Sequence, residues 1–179
     1  IDHAETMKDV HTIVIDTLTY LMEMYESNYV LNSSNGMKAW GDYFQFFKTL
    51  MQDKVAKSSK NIVFLAHAAD QYNESEMVTE VKVPVKGSLK NNGVESYFSM
   101  VISTKKVPLK VLANYKNKYL TITPQEEALG YKHCFQTNLT KETSAERLRS
   151  PMGMWEQQET YIDNNIAFVM ERIKEYYVG

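Results

Sequence analysis

The sequence predicts an α/β fold: a mostly parallel sheet flanked by helices, with an antiparallel extension toward the C-terminus. Three observations carry that expectation. Two short apolar runs, Thr12 to Ile15 and residues 61 to 67, lead to residues of functional type, Asp16 and His67. Two helical patterns separate them without a hairpin signal, and parallel neighbours need crossovers of that kind. Further on, the apolar runs become shorter and more alternating, as strands with one solvated face do.

The elements follow in order. Ile1 to His11 has no initiator Met and little hydrophobic pattern, so a fragment or processed product is expected. Thr12 to Ile15 is the first strand and ends on Asp16. Then "TLTYLMEMYESNYVL" sets Leu18, Leu21, Met22 and Tyr25 at helical spacing, and "NSSNG" at residues 32 to 36 reads as a turn. A long helix over residues 37 to 57 follows, with Met37, Trp40, Phe44, Phe47, Met51 and Val55 along one face. "NIVFLAH" is the second strand, and the polar segment from residue 68 to about Lys90 reads as a long loop. "YFSMVIST", "LKVLANY" and "KHCFQTNLT" read as strands of the antiparallel extension. Ile162, Ile166, Val169, Ile173 and Tyr177 mark a final amphipathic helix over Tyr161 to Tyr177.

Composition narrows the function classes. With 179 residues and 44% hydrophobic content the chain can bury one ordinary core, so a single domain over residues 1–179 is expected. A formal net charge of -2 excludes a polycation built to coat nucleic acid or anionic membrane. The single Cys134 excludes an internal disulfide. No signal-peptide pattern and no apolar run of transmembrane length occurs, so no membrane partner and a cytoplasmic setting are expected.

Asp16 is the residue that needs explaining, because a carboxylate at the tip of an apolar strand requires a cation or a donor. In open α/β sheets ligands sit at the carboxyl ends of the strands, where Asp16 and His67 both fall. In P-loop nucleotide hydrolases an apolar strand ending in Asp directs a Mg²⁺ ion, and a polar residue ending a neighbouring strand senses the γ-phosphate. The plainer reading is that Asp16 caps the following helix and His67 makes a backbone hydrogen bond.

Charge supplies a separate clue. From Glu80 to Lys118 eight lysines face two acids, a local +6. Lys82, Lys86 and Lys90 in the loop after His67 are candidate contacts to single-stranded DNA, with Tyr72, Tyr97 or Tyr115 to stack on bases. The alternative is that the lysines protect exposed strand edges from pairing.

The runs "TIVIDTLTYL", "AWGDYFQFFKTLM", "NIVFLAH" and "VKGSLKNNGVESYFSMVIST" together resemble the ATPase core of RecA-type proteins. The resemblance is closest to the small phage-encoded RecA-like ATP-binding proteins of recombination and single-strand annealing. It implies a Walker B strand at residues 12 to 16, DNA-facing loops at 32 to 36 and 68 to 87, and a sensor strand at 61 to 67. It also implies ATP and Mg²⁺ as cofactors, with Asp16 as the metal-directed carboxylate, Thr17 beside it at the cofactor, and His67 at the γ-phosphate. Arg147 and Arg149, in "SAERLRSP", match a basic pair that reaches a neighbouring subunit's γ-phosphate, which implies self-association into a ring or filament. A guanidinium suits that task because it stays charged and binds phosphate oxygens in pairs.

The sequence departs from the family: its basic pair is R-x-R where the family has K-x-R, Thr17 and not Glu follows Asp16, and one departure is serious. No G-x-x-x-x-G-K-[ST] phosphate loop stands in residues 1–179, so the chain is expected to be the C-terminal portion of such a core, with the loop upstream of Ile1. As it stands it is not expected to hydrolyse ATP alone. The rival expectation is an interaction or assembly module of the same fold that has lost its nucleotide chemistry.

Overall fold

The computed structural model of the protein describes residues 1–74 and 77–178, without the side chains of residues 91 and 92. Residues 75 and 76, part of the segment expected to be a loop, lie outside the described residues. The chain divides into two compact units, residues 1–97 and 98–179. Among the described residues the strands form three separate sheets, one parallel and two antiparallel. The result is a mixed α/β protein whose parallel sheet is small, not the mostly parallel sheet the sequence predicts.

In the first unit a short helix, α1 (Asp2–Glu5), precedes strand β1 (Thr12–Ile15). Glu5 holds α1 in place by accepting from the hydroxyls of Ser58 and Ser59, and those bonds lower its carboxyl pKa. Helix α2 (Leu18–Tyr25) starts on an N-cap, Thr17, whose Oγ1 accepts the Tyr20 N–H at 3.2 Å. It runs on through a π-helical turn, Glu26–Val30, so the helical pattern from residue 17 to 31 is matched almost throughout. Helix α3 (Gly36–Thr49) is capped by Asn35 and likewise continues as a π-helical segment, Leu50–Val55.

The buried face of α3 differs from the expected one. Ala39, Tyr43, Phe47 and Met51 are buried, whereas Met37 is 90% exposed. Tyr43 turns inward because its ring packs edge-on against Tyr25 and Trp40 while its hydroxyl accepts the Lys86 N–H at 3.5 Å. A tyrosine combines an apolar body with a polar tip, so hydrophobicity alone undercounts it as a core residue.

Strand β2 (Asn61–Phe64) pairs with β1 in parallel, from Thr12 opposite Asn61 to Ile15 opposite Phe64. The long loop expected after His67 is instead a hairpin of β3 (Ala69–Asn73) and β4 (Val78–Lys82), with Ala69 opposite Lys82. "ADQYN" and "VTEVK" carry too few apolar residues to signal strands, and only cross-strand pairing orders them. Helix α4 (Leu89–Asn92) and a 3₁₀ turn, Val94–Tyr97, close the unit. Within that turn Glu95 is buried, with Oε1 accepting the Val83 N–H at 2.7 Å.

Gly87 makes the turn before α4 with φ of +58°, and a Cβ there would stand 3.1 Å from the Trp40 ring. Gly87→Ala is therefore expected to lower stability by about 1–2 kcal/mol, through both the left-handed backbone and the clash. A urea titration of the two proteins checks this.

In the second unit β5 (Ser103–Pro108), β6 (Tyr131–Gln136) and β7 (Tyr161–Asp163) form an antiparallel sheet with β6 central. The antiparallel character expected of the C-terminal part is found, with different boundaries. Residues 97 to 102 are not strand, and "LKVLANY" begins with one helical turn, α5 (Leu109–Leu112). Helix α6 (Pro124–Leu129) has a reciprocal cap between Thr123 and Glu126, proline in its first turn, and Gly130 at φ 74° as its left-handed stop. The final helix, α7 (Ile166–Val178), begins later than expected, because residues 161 to 163 belong to β7. Ile162 fits a helical period only by its spacing from Ile166, and the Asn165 side chain accepts the Ala167 N–H at 3.0 Å where the helix starts.

Both faces of this sheet are packed. Ile162 with Tyr119, Met154, Trp155 and Val169 forms one cluster, and Val107, Leu112, Cys134 and Tyr161 form the other. Asn117 joins three segments: its amide nitrogen donates to the carbonyls of Tyr115, Gln158 and Tyr161 at 3.0, 2.8 and 2.9 Å, and its oxygen accepts the Tyr119 N–H at 2.8 Å. Lys132, in β6, bonds Glu126 at 2.6 Å and Asp163 at 3.2 Å.

The Lys132 ammonium holds the Glu126 carboxyl below its ordinary pKa of 4.5, against an opposing effect of burial. A depressed folded pKa means stability that is present above the ordinary value and lost as pH falls through the folded one. The melting temperature is thus expected to drop as pH falls below about 4.5, and Glu126→Gln to flatten that slope. Calorimetry across pH 2.5 to 7, roughly spanning carboxylate titration, measures it.

Candidate functional site

The rim of the parallel sheet is built by local hydrogen bonding. The Leu65 N–H donates to the Ile15 carbonyl at 3.0 Å and the Leu18 N–H donates to the Leu65 carbonyl at 2.8 Å, so the two chains stay in step past their last paired residues. Asp16 and His67 consequently lie on the same rim, at the carboxyl ends of adjacent parallel strands, and both are exposed. The peptide bond between Asp16 and Thr17 is cis. Helix capping falls to Thr17, not to Asp16, and among the described residues nothing hydrogen-bonds the Asp16 carboxylate. His67 does make a backbone bond, its N–H donating to Thr19 Oγ1 at 3.0 Å, while its imidazole stands edge-on to the Tyr20 ring with centroids 5.3 Å apart.

An exposed carboxylate is one hard oxygen ligand, which suits Mg²⁺ held mainly by water and phosphate oxygens. Among the described residues no group of three or more His, Cys, Asp or Glu side chains is placed to hold a metal. The rim thus fits a phosphate-borne ion and not an all-protein cage.

Several lysines of the stripe are paired with carboxylates. Lys82 bonds Glu80 at 2.8 Å and Lys86 bonds Glu26 at 2.8 Å, the second across 60 residues of sequence. Lys90 is exposed on α4, beside a 360 Å³ depression whose walls include Glu23, Gln71 and Tyr43. In the second unit Lys105 bonds Glu146 at 2.5 Å, Lys118 bonds Glu175 at 2.6 Å, and Lys106 sits 3.8 Å from the centre of the Tyr131 ring. These pairs are all made within one unit or the other.

Arg147 and Arg149 belong to the second unit, where the Arg149 backbone forms an isolated bridge with Val101, at 2.8 and 3.1 Å. His133 and Cys134 are neighbours on β6 but face opposite sides, His133 exposed and Cys134 buried. Burial pushes the Cys134 thiol up to about 12, so it is no nucleophile. Sequence reasoning missed Thr19 and Tyr20, which read only as helix residues although both touch His67. Their position three and four residues after the strand-ending Asp16 was the available signal.

The rim lies in a stretch matched by a family model that supports a P-loop ATPase-like core with nucleotide-binding, ATPase-like function. The model of one family, described as AAA domain, matches residues 2–130. That is more than half of the chain, and the chain belongs to the AAA domain family. No curated protein matches, and neither does any solved structure. Among the described residues no helix is long and apolar enough to cross a membrane.

Proposed function

We propose that the chain is part of a RecA-like, phage-type ATPase of the cytoplasm, acting in DNA recombination or single-strand annealing. The observation that supports this reading is that Asp16 directly follows β1 and His67 lies three residues past β2, at the same rim of two neighbouring parallel strands. In it Asp16, with Thr17 beside it, directs a Mg²⁺ ion carried by ATP, and His67 meets the γ-phosphate. Arg147 and Arg149 act on a neighbouring subunit's nucleotide in a ring or filament, and Lys82, Lys86 and Lys90 bind the phosphates of single-stranded DNA.

The test takes the gene product with whatever coding sequence lies upstream of Ile1, so that a phosphate loop encoded there is included. Magnesium-dependent ATP hydrolysis stimulated by single-stranded DNA is expected, and Asp16→Ala abolishes it while the melting temperature stays. Normal turnover in that variant overturns the assignment. Oligonucleotide binding that weakens steeply with salt supports the DNA partner. Glu26→Gln, which frees Lys86, is then expected to tighten it.

The second reading, an interaction or assembly module without nucleotide chemistry, is favoured by apolar exposure beside the rim, where Val14 is 57% and Leu65 44% exposed. Salt-insensitive association with a protein partner, lost on Val14→Asp, distinguishes it.

A further inference from the structure

His67 lies beyond the sheet. β2 ends at Phe64, the last backbone bond to β1 is made by Leu65, and residues 65–68 have no regular structure. An exposed histidine on such a stretch would sample several rotamers, each aiming its nitrogens differently. Two residues of the first turn of α2 contact it. Thr19, 4% exposed, accepts the His67 N–H and so fixes the backbone. Tyr20 lays its ring at 85° to the imidazole.

Tyr20 has little structural reason to be where it is. It is 56% exposed, it contributes nothing to the buried core, and an aromatic side chain on a helix surface is a middling helix former. Its own N–H is held by the Thr17 cap, directly after Asp16, so the ring's attachment point is tied to the strand end that carries the carboxylate. One helical turn thereby holds both rim groups: Asp16 by covalent continuity and His67 by a hydrogen bond and a ring contact.

We propose that Tyr20 is a positioning residue that sets the direction of the His67 imidazole relative to Asp16, with Thr19 fixing the backbone beneath it. The significance of that direction for nucleotide sensing rests on the proposed function; the positioning itself does not. An aromatic ring is required at residue 20, and its hydroxyl is not, because the contact is made by the ring.

The test reads the imidazole carbon–proton signals of the 179-residue chain by NMR, with His67 assigned through His67→Gln among the four histidines. In the unaltered protein the His67 signals are displaced by the Tyr20 ring current. Tyr20→Phe retains the displacement and the single-rotamer Hα–Hβ couplings of His67; Tyr20→Leu removes the ring current in any case, and the deciding result is that those couplings become averaged over rotamers while the melting temperature and the His67 amide signal stay in place. Thr19→Val moves that amide signal instead. His67 Hα–Hβ couplings unchanged in Tyr20→Leu, or averaged in Tyr20→Phe as fully as in Tyr20→Leu, overturn the proposal. No nucleotide enters this measurement, so its failure is separate from a failure of Asp16→Ala to abolish turnover.

Discussion

Phe47→Ala is expected to lower the stability of the first unit by about 3–5 kcal/mol, the range found when a fully buried aromatic side chain is removed. Phe47 is 0% exposed, on the face of α3 that also buries Ala39, Tyr43 and Met51, and its ring meets Tyr97 edge-on at 5.1 Å. The loss combines the transfer energy of the ring with the cavity left when neighbours on a helix cannot close in. Met37→Ala, one face away and almost wholly in solvent, serves as the contrast and is expected to change stability by less than about 0.5 kcal/mol. Urea denaturation followed by tryptophan fluorescence separates the two, since Trp40 packs against Tyr43 on the same helix. Equal effects would mean that the buried stripe of α3 is misassigned.

Lys132→Met is expected to lower the stability of the second unit by about 2–3 kcal/mol. The methionine fills the space of the lysine stem, so packing is nearly kept and the loss comes from the two carboxylates left without their cation. Glu126 and Asp163 are each about one-fifth exposed, so water answers part of their charge and the loss falls short of a fully buried pair. Adding Glu126→Gln to Lys132→Met removes one orphaned charge and is expected to recover part of the loss. A double-mutant cycle in urea gives the coupling; additive effects would mean the contact contributes nothing.

How much of this was legible in the sequence depends on where the ordering forces act. The shared rim position of Asp16 and His67 was legible because parallel pairing brings the strand ends together, although the second strand stops at Phe64 and His67 stands three residues beyond it. α2 and α3 were legible from helical spacing, though the buried face of α3 was not, because Tyr43 hides an apolar ring behind a hydroxyl. The β3–β4 hairpin was not legible, since its residues carry no alternating apolar signal. Nor was the split of Tyr161 to Tyr177 into β7 and α7, where one period ran through a strand, two asparagines and a helix. The lysine stripe was visible as composition, but the carboxylates that answer Lys86 and Lys118 stand 60 and 57 residues away and no local window joins them. Thr19 and Tyr20 were hidden for the same reason, as their partner is the backbone N–H and ring of His67, 48 residues from Thr19.

The side chain of Asn117 carries a liability of its own. An amide shared among three carbonyls holds only as long as it remains a donor. Slow hydrolysis to the acid, the common chemical ageing of asparagine, would set a negative oxygen against three others and turn a staple into a wedge. Asn117→Asp is therefore expected to loosen the second unit where residues 115, 158 and 161 meet.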